Sequence, residues 1–188
     1  MSEEKARVRN ILRARKEAMT PEDRLEKSGL IARHLMLLIA SGETVMVFTS
    51  KDKEVNTRPL IEGLFKEKNP VVVPIIQKED VSLRLSYLRD MKALVPSTFG
   101  VPEPIGSEIA ARAQDVDVII LPMLGFDRTG GRIGYGAGYY DRFLSKNPGL
   151  VKIGIAFACQ EMETLPLDEN DIKMDIIVTE DGIVYDGR

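Results

Sequence analysis

One cysteine and one histidine in 188 residues remove several classes of chemistry at once. Cys159 has no partner within the chain for a disulfide, and with His34 it supplies too few soft ligands for a zinc site. A Cys–His dyad would need those two to meet, and nothing in their surroundings suggests it. Cys159 follows the apolar run Ile155-Ala156-Phe157-Ala158 and reads as a buried structural thiol. His34 lies in a helical segment between Arg33 and Leu35 and reads as a boundary histidine. Tryptophan is absent. No apolar run approaches the ~18 residues that a membrane span requires, and Met1-Ser2-Glu3-Glu4-Lys5 lacks the basic-then-apolar order of a signal peptide. The expected location is the cytoplasm, with no membrane partner. Excess positive charge is also missing. Lys plus Arg number 26 against 29 Asp plus Glu, a net charge of −3, which argues against general nucleic-acid binding but leaves room for a local basic pocket.

What is present suits one α/β domain over residues 1–188. Residues 3–18 are rich in helix formers. Val8, Ile11, Leu12 and Arg15 lie at helical spacing, with Lys5, Arg9 and Arg13 forming a basic stripe beside them. Spacing alone reads that stripe as a solvated face. Thr20-Pro21-Glu22-Asp23 predicts the capped start of a second helix reaching about Ile39. Strands are predicted at Thr44–Thr49, Val71–Ile75 with Pro74 breaking its end, Val116–Leu121 and Val151–Phe157, all too apolar for a half-exposed sheet. Ser82–Leu88 alternates and reads as an edge strand. Asp90–Ser107 reads as irregular connection, Arg58–Glu67 as a helix, and Asp175–Thr179 and Gly182–Tyr185 as two closing strands. The predicted architecture is a mostly parallel central sheet with helices on both faces, a Rossmann-like three-layer α/β/α arrangement.

The stretch Leu121–Leu144 runs from a buried strand to an amphipathic helix starting near Tyr139, and it holds five glycines between Gly130 and Gly138. Ligands of α/β proteins collect at such strand-to-helix turns, and successive N–H groups at a helix start form an anion site. A tight structural turn is the alternative. The run is neither a nucleoside-triphosphate loop nor a dinucleotide fingerprint. Arg132 offers a guanidinium for a phosphate, Tyr139 and Tyr140 offer phenols, and Asp141 offers a carboxylate for a metal. Asp171, in a turn, is either solvated or a second carboxylate for a hard cation. Glu54, past a strand end, is either a loop charge or a ligand contact.

Gly125-Phe126-Asp127, then Gly130-x-Arg132-x-Gly134-x-Gly136-x-Gly138-Tyr139-Tyr140-Asp141, resembles the signature of the 5-formyltetrahydrofolate cyclo-ligases, also called methenyltetrahydrofolate synthetases. Lys5-x-x-x-Arg9, Glu54-Val55-x-Thr57, Pro102-x-Pro104, Ala156-Phe157-x-x-Gln160 and Asn170-Asp171 extend the resemblance over nearly the whole chain. It implies an α/β enzyme, monomer or homodimer, that uses ATP and Mg²⁺ to convert 5-formyltetrahydrofolate to 5,10-methenyltetrahydrofolate with release of ADP and phosphate. By matching position, it implies that Lys5, Arg9, Arg132, Gly134, Gly136, Gly138 and Tyr140 hold ATP, and that Asp141 and Asp171 carry Mg²⁺. Thr49 and Glu54 would contact the pterin, and Tyr135, Gly136, Ala137, Gly138 and Tyr139 would line the formyl site, with Arg132 and Tyr139 catalytic. Two positions depart from the family pattern. Ala137 stands where Lys or Gly is usual, and Thr49 where a larger apolar or aromatic residue is usual.

Overall fold

The computed structural model describes residues 3–188; Met1 and Ser2, part of the N-terminal reading above, lie outside the described residues. The helices are α1 (Glu3–Glu17), α2 (Pro21–Leu38), α3 (Arg58–Lys66) and α4 (Tyr139–Lys146). The strands are β1 (Val45–Val47), β2 (Val71–Gln77), β3 (Ser82–Leu88), β4 (Val95–Pro96), β5 (Pro102–Glu103), β6 (Ile109–Ala111), β7 (Val118–Pro122), β8 (Gly125–Phe126), β9 (Arg132–Ile133), β10 (Val151–Ile155), β11 (Ile176–Thr179) and β12 (Gly182–Asp186). Eight of them form one sheet in the order β12-β11-β10-β7-β1-β2-β3-β6. Its centre, from β11 to β2, is parallel, and β12, β3 and β6 run antiparallel to their inner neighbours.

Alternate residues of the central strands enter opposite layers, as the two-residue period of a strand requires. Val45, Val47, Val118, Ile120, Ile153 and Ile155 pack with Ile31 and Leu35 of α2 and Leu60, Ile61 and Leu64 of α3. Met46, Val72, Ile119, Leu121 and Ile177 pack with Leu144 of α4 on the other face. The helices therefore cover both faces, as the sequence predicts. α1 belongs to neither layer. Its Val8 and Leu12 pack against Leu124, Ile133 and Leu165, residues that follow β7 or lie near the C-terminal turn. The cap predicted for α2 is present: the Thr20 hydroxyl accepts from the Asp23 N–H at 3.0 Å, with Pro21 opening the helix. Among the described residues, no helix is long and apolar enough to cross a membrane.

Three local readings need correction. β3 is not the edge of the sheet, because β6 pairs with it at Leu85, Ser86 and Tyr87. β6 has only three residues, too few for alternation to mark it as a strand. Pro74 does not break β2. The β1 ladder reaches β2 only at Val71 and Val72, so Pro74 lies past its end, where a missing N–H leaves no parallel partner unbonded. The stretch 90–107 also contains the two-stranded ribbon β4–β5. That ribbon is tied to the sheet, since the Thr49 hydroxyl donates to the Pro102 carbonyl at 2.6 Å and Glu103 Oε1 accepts from the Ile76 N–H at 2.7 Å.

Candidate functional site

The chain leaves β1 toward β2 on one side of the sheet and leaves β7 toward β10 on the other, so the order reverses between β1 and β7. Crevices form beyond the carboxyl ends of strands at such a reversal. Here the crevice is a cavity of about 840 Å³, bordered by Phe48 and Thr49 beyond β1 and by Pro122 at the end of β7. All of the residues that the resemblance assigns to ATP, metal or substrate line it, from Lys5 on α1 to Asp171 near the C-terminus.

The glycine-rich stretch is built for close approach. β8 and β9 fold back on each other, with Gly125 opposite Ile133 and Phe126 opposite Arg132, and the loop then turns into α4. Gly136 and Gly138 have φ of +111° and +72°, a region costly for any residue with a Cβ. The turn before it is organised by Asp127, a buried carboxylate. Its Oδ1 accepts from the Thr129 N–H and hydroxyl and from the Gly131 N–H, and its Oδ2 accepts from the Leu165 N–H at 3.2 Å. Burial alone would raise the Asp127 pKa; the hydrogen bonds from Thr129, Gly131 and Leu165 outweigh it and hold the carboxyl below its ordinary range. Two loop carbonyls are engaged by arginines: Arg9 Nε donates to Gly134 at 2.9 Å, and an Arg142 guanidinium nitrogen donates to Ala137. With those oxygens occupied, the loop presents less negative potential to an anion.

Two residues of the basic stripe of α1, Lys5 and Arg9, are buried on the cavity side of the helix, while Arg13 stays exposed as spacing alone reads it. Lys5 is only 6% exposed, and its ammonium donates to Asp168 Oδ2 and Asp171 Oδ2, each at 2.5 Å. Burial opposes its charge, yet the bonds to the two carboxylates raise its pKa, and Lys5 in turn lowers that of Asp171 against the opposing effect of burial. Arg132 is buried and donates to Asp141 Oδ1 at 2.5 Å, while its Nε has no protein partner. The same Asp141 oxygen accepts from the Ile172 N–H at 3.4 Å, which brings the turn carrying Asp171 beside the start of α4. The two carboxylates expected to share a cation thus border one cavity. Among the described residues, no group of three or more His, Cys, Asp or Glu side chains is arranged to hold a metal. Two carboxylates suit a hard divalent ion that keeps waters and phosphate oxygens as its other ligands.

On the opposite side, Glu54 Oε2 accepts from the Lys51 N–H at 2.8 Å, closing a turn after β1. The Tyr140 phenol is raised above its ordinary pKa by burial and by the charge of Glu54, and Tyr135 is raised for the same reasons, so both remain neutral hydrogen-bond donors. The Tyr139 ring lies 6.0 Å from the Arg142 guanidinium. The Thr49 hydroxyl is committed to the β4–β5 ribbon, leaving its methyl for a ligand.

Several site residues escape the sequence reading. Lys16 is 6% exposed and lines the cavity beyond Arg13, the last residue of the basic stripe read from the sequence. Its spacing from Lys5 and Arg9 on one helix is the signal that could have found it. Asp168 reads as a solvated turn residue, and only the fold brings it to Lys5. Phe99, 56% exposed at the cavity mouth, lies in the stretch read as mere connection. Its φ of +56° is unusual for an aromatic residue, and the Lys78 ammonium stands 4.6 Å from its ring centre. His34 and Cys159 stay outside the site. His34 Nε2 is 3.2 Å from the Glu180 carbonyl, and the Cys159 thiol is raised by burial and held against Met19.

Comparison with known proteins gives the family and the fold. The chain is 33% identical over 176 residues to the 5-formyltetrahydrofolate cyclo-ligase of Escherichia coli (strain K12), covering 90% of this chain and 96% of that one. It is 28% identical over 188 residues to the mouse protein of the same name, covering 93% of each. The NMR structure of Aquifex aeolicus 5,10-methenyltetrahydrofolate synthetase superposes with a TM-score of 0.83 at 31% identity, over 98% of this chain and 93% of that one. The synthetase of Mycoplasma pneumoniae, at 22% identity and a TM-score of 0.74 over 94% of this chain and 98% of that one, shares the fold. The 5-formyltetrahydrofolate cyclo-ligase family profile matches residues 1–180, and the chain belongs to that family.

Proposed function

We propose that this chain uses ATP and Mg²⁺ to convert 5-formyltetrahydrofolate to 5,10-methenyltetrahydrofolate, releasing ADP and phosphate. The observation that carries the reading is the meeting in one cavity of the α1 cations, the glycine-rich loop and the Asp141 and Asp171 carboxylates. The loop N–H groups with Gly134, Gly136 and Gly138, together with Lys5, Arg9, Arg132 and Tyr140, hold the triphosphate. Asp141 and Asp171 hold Mg²⁺, which when bound neutralises phosphate charge. Thr49 and Glu54 take the pterin, and the loop from Tyr135 to Tyr139, including Ala137, lines the formyl group.

A formamide oxygen is a poor leaving group, so it must first be activated. The formyl oxygen attacks the terminal phosphorus and the bond to the bridging oxygen breaks, releasing ADP. N10 then adds to the formyl carbon and loses its proton, and the carbon–oxygen bond breaks as phosphate departs. No protein nucleophile is needed, which suits a site without His or Cys. The protein contributes in-line positioning and charge stabilisation. The Tyr139 phenol is oriented on the formyl group, and Arg132, with its Nε left without a protein partner, faces the phosphoryl charge that develops.

The test is to mix the protein with Mg-ATP and 5-formyltetrahydrofolate and follow ADP together with methenyl absorbance. Equal amounts of both products are expected. ADP release that depends on the protein without methenyl formation would assign a changed substrate to the same nucleotide site, and absence of both would reject catalysis.

A further inference from the structure

The substrate side of the cavity contains an ion that the scheme above does not use. Lys16 lies on nearly the same face of α1 as Lys5, roughly three turns further on, and about 10 Å along the axis past Arg9. That places it beyond the part of the loop gripped by Arg9 at Gly134. Its ammonium donates to the Tyr135 hydroxyl at 2.7 Å and stands 5.1 Å from the centre of the same ring. An ammonium has no lone pair, so the phenol oxygen must be the acceptor. The phenol's own proton is then directed away from Lys16, and the Glu54 carboxylate, on the turn after β1, acts on the phenol through its charge.

The result joins α1 to the glycine-rich loop through Lys16 and Tyr135, with Glu54 of the turn after β1 lining the same cavity. Other charged or titratable groups facing Lys16 are Arg24, Lys51 and Cys159. Arg24 also donates to the Lys16 backbone carbonyl at 3.2 Å, fixing the end of α1. Burial lowers the Lys16 pKa and Glu54 opposes that shift, the behaviour of a desolvated cation kept in place by a carboxylate.

We propose that Lys16 is a positioning residue for substrate recognition: by donating to Tyr135 it fixes the phenol and holds the glycine-rich loop against the pterin side of the cavity, where Glu54 lies. This rests on the proposed folate reaction and adds to it a residue that sets affinity for the folate rather than for ATP. The ammonium also balances the Glu54 charge in a cavity that must also admit anions.

The test compares steady-state kinetics of Lys16→Met, Lys16→Arg, Tyr135→Phe and the Lys16→Met/Tyr135→Phe double variant. Loss of a charge-assisted hydrogen bond should raise KM for 5-formyltetrahydrofolate by about tenfold or more in Lys16→Met, with kcat and KM for ATP changed by less than about threefold. Lys16→Arg should recover most of the loss, and the double variant should be no worse than Lys16→Met, because both changes break one linkage. Tyr135→Phe removes the same bond from a residue that is 43% exposed overall, so it reports even where Lys16→Met fails to fold. Equal rises in both KM values, an arginine variant no better than methionine, or additive losses would overturn the assignment. A wild-type protein that forms no methenyl product would overturn the functional reading and this inference with it; turnover with an unaffected Lys16→Met would overturn this inference alone.

Discussion

The Lys5 ammonium meets the Asp171 carboxylate at 2.5 Å across 166 residues of sequence, fastening the first helix to the C-terminal turn over the glycine-rich loop. Asp171 has its pKa depressed, so its stabilising contribution is present above the ordinary carboxylate range and is lost as pH falls through its folded value. Lys5 has its pKa raised, so its contribution is complete below the ordinary lysine range and is lost as pH rises through its folded value. The link therefore operates between those two ranges. Lys5→Met should weaken ATP binding by about tenfold, the scale of one lost charge-assisted contact, and should flatten the acid limb of the melting-temperature profile. Calorimetric titration with Mg-ATP and thermal melts across pH check both. An unchanged nucleotide affinity would remove Lys5 from the phosphate set.

Arg132 and Asp141 form another charged contact of the cavity, and the proposed reaction gives each a separate task. Arg132→Ala and Asp141→Ala should each reduce methenyl formation by tens-fold or more, the order expected when an electrostatic donor is lost from a phosphoryl-transfer site. Arg132→Ala also leaves the Asp141 charge without its partner, so the variant should lose thermal stability as well as rate. Single-turnover rates measured beside melting temperatures separate the two effects. Rates near wild type in a folded variant would refute the assignment.

The fold was legible where patterns were long. Continuous apolar runs marked β1, β2, β7, β10 and β11, and the Thr20-Pro21 cap marked α2, because burial on both faces and orphan N–H groups constrain residue choice locally. β6 escaped because three residues carry no period, and the β4–β5 ribbon because its anchors, Thr49 to Pro102 and Glu103 to Ile76, are distant in sequence. The same division runs through the site. Arg132, Tyr139, Tyr140 and Asp141 lie within ten residues and could be read as a group. Lys16, Asp168 and Phe99 acquire meaning only through partners that the topology supplies.

Asp127 shows how a residue outside the cavity controls it. Its carboxylate satisfies the N–H groups of Gly131 and Leu165, which would otherwise be buried without partners, and that of the more exposed Thr129. Asp127→Ala should cost about 3 kcal/mol of stability, the scale expected when several buried donors lose a charged acceptor. Urea unfolding should show a lower midpoint with little change in slope. Because the Asp127 pKa is depressed, its contribution is present above the ordinary carboxylate range and disappears in acid. The stability difference between wild type and Asp127→Ala should therefore narrow as pH falls. A constant difference would mean that the carboxylate is not the acceptor that organises the turn.

Metal dependence follows from the same geometry. Asp141 Oδ1 is engaged by Arg132 and the Ile172 N–H, and Asp171 Oδ2 by Lys5 and the Asp168 N–H. Among the described residues no preformed group of three ligands exists, so on the proposed reading Mg²⁺ would bind weakly by itself and would take its remaining ligands from phosphate and water. Mg²⁺ alone should leave the melting temperature almost unchanged, while Mg²⁺ with ATP should raise it above the value with ATP alone. Chelation should abolish turnover without unfolding the protein. Asp141→Asn and Asp171→Asn should each reduce the extra stabilisation that Mg²⁺ adds to ATP. A large shift with Mg²⁺ alone, retained in both variants, would place the cation elsewhere.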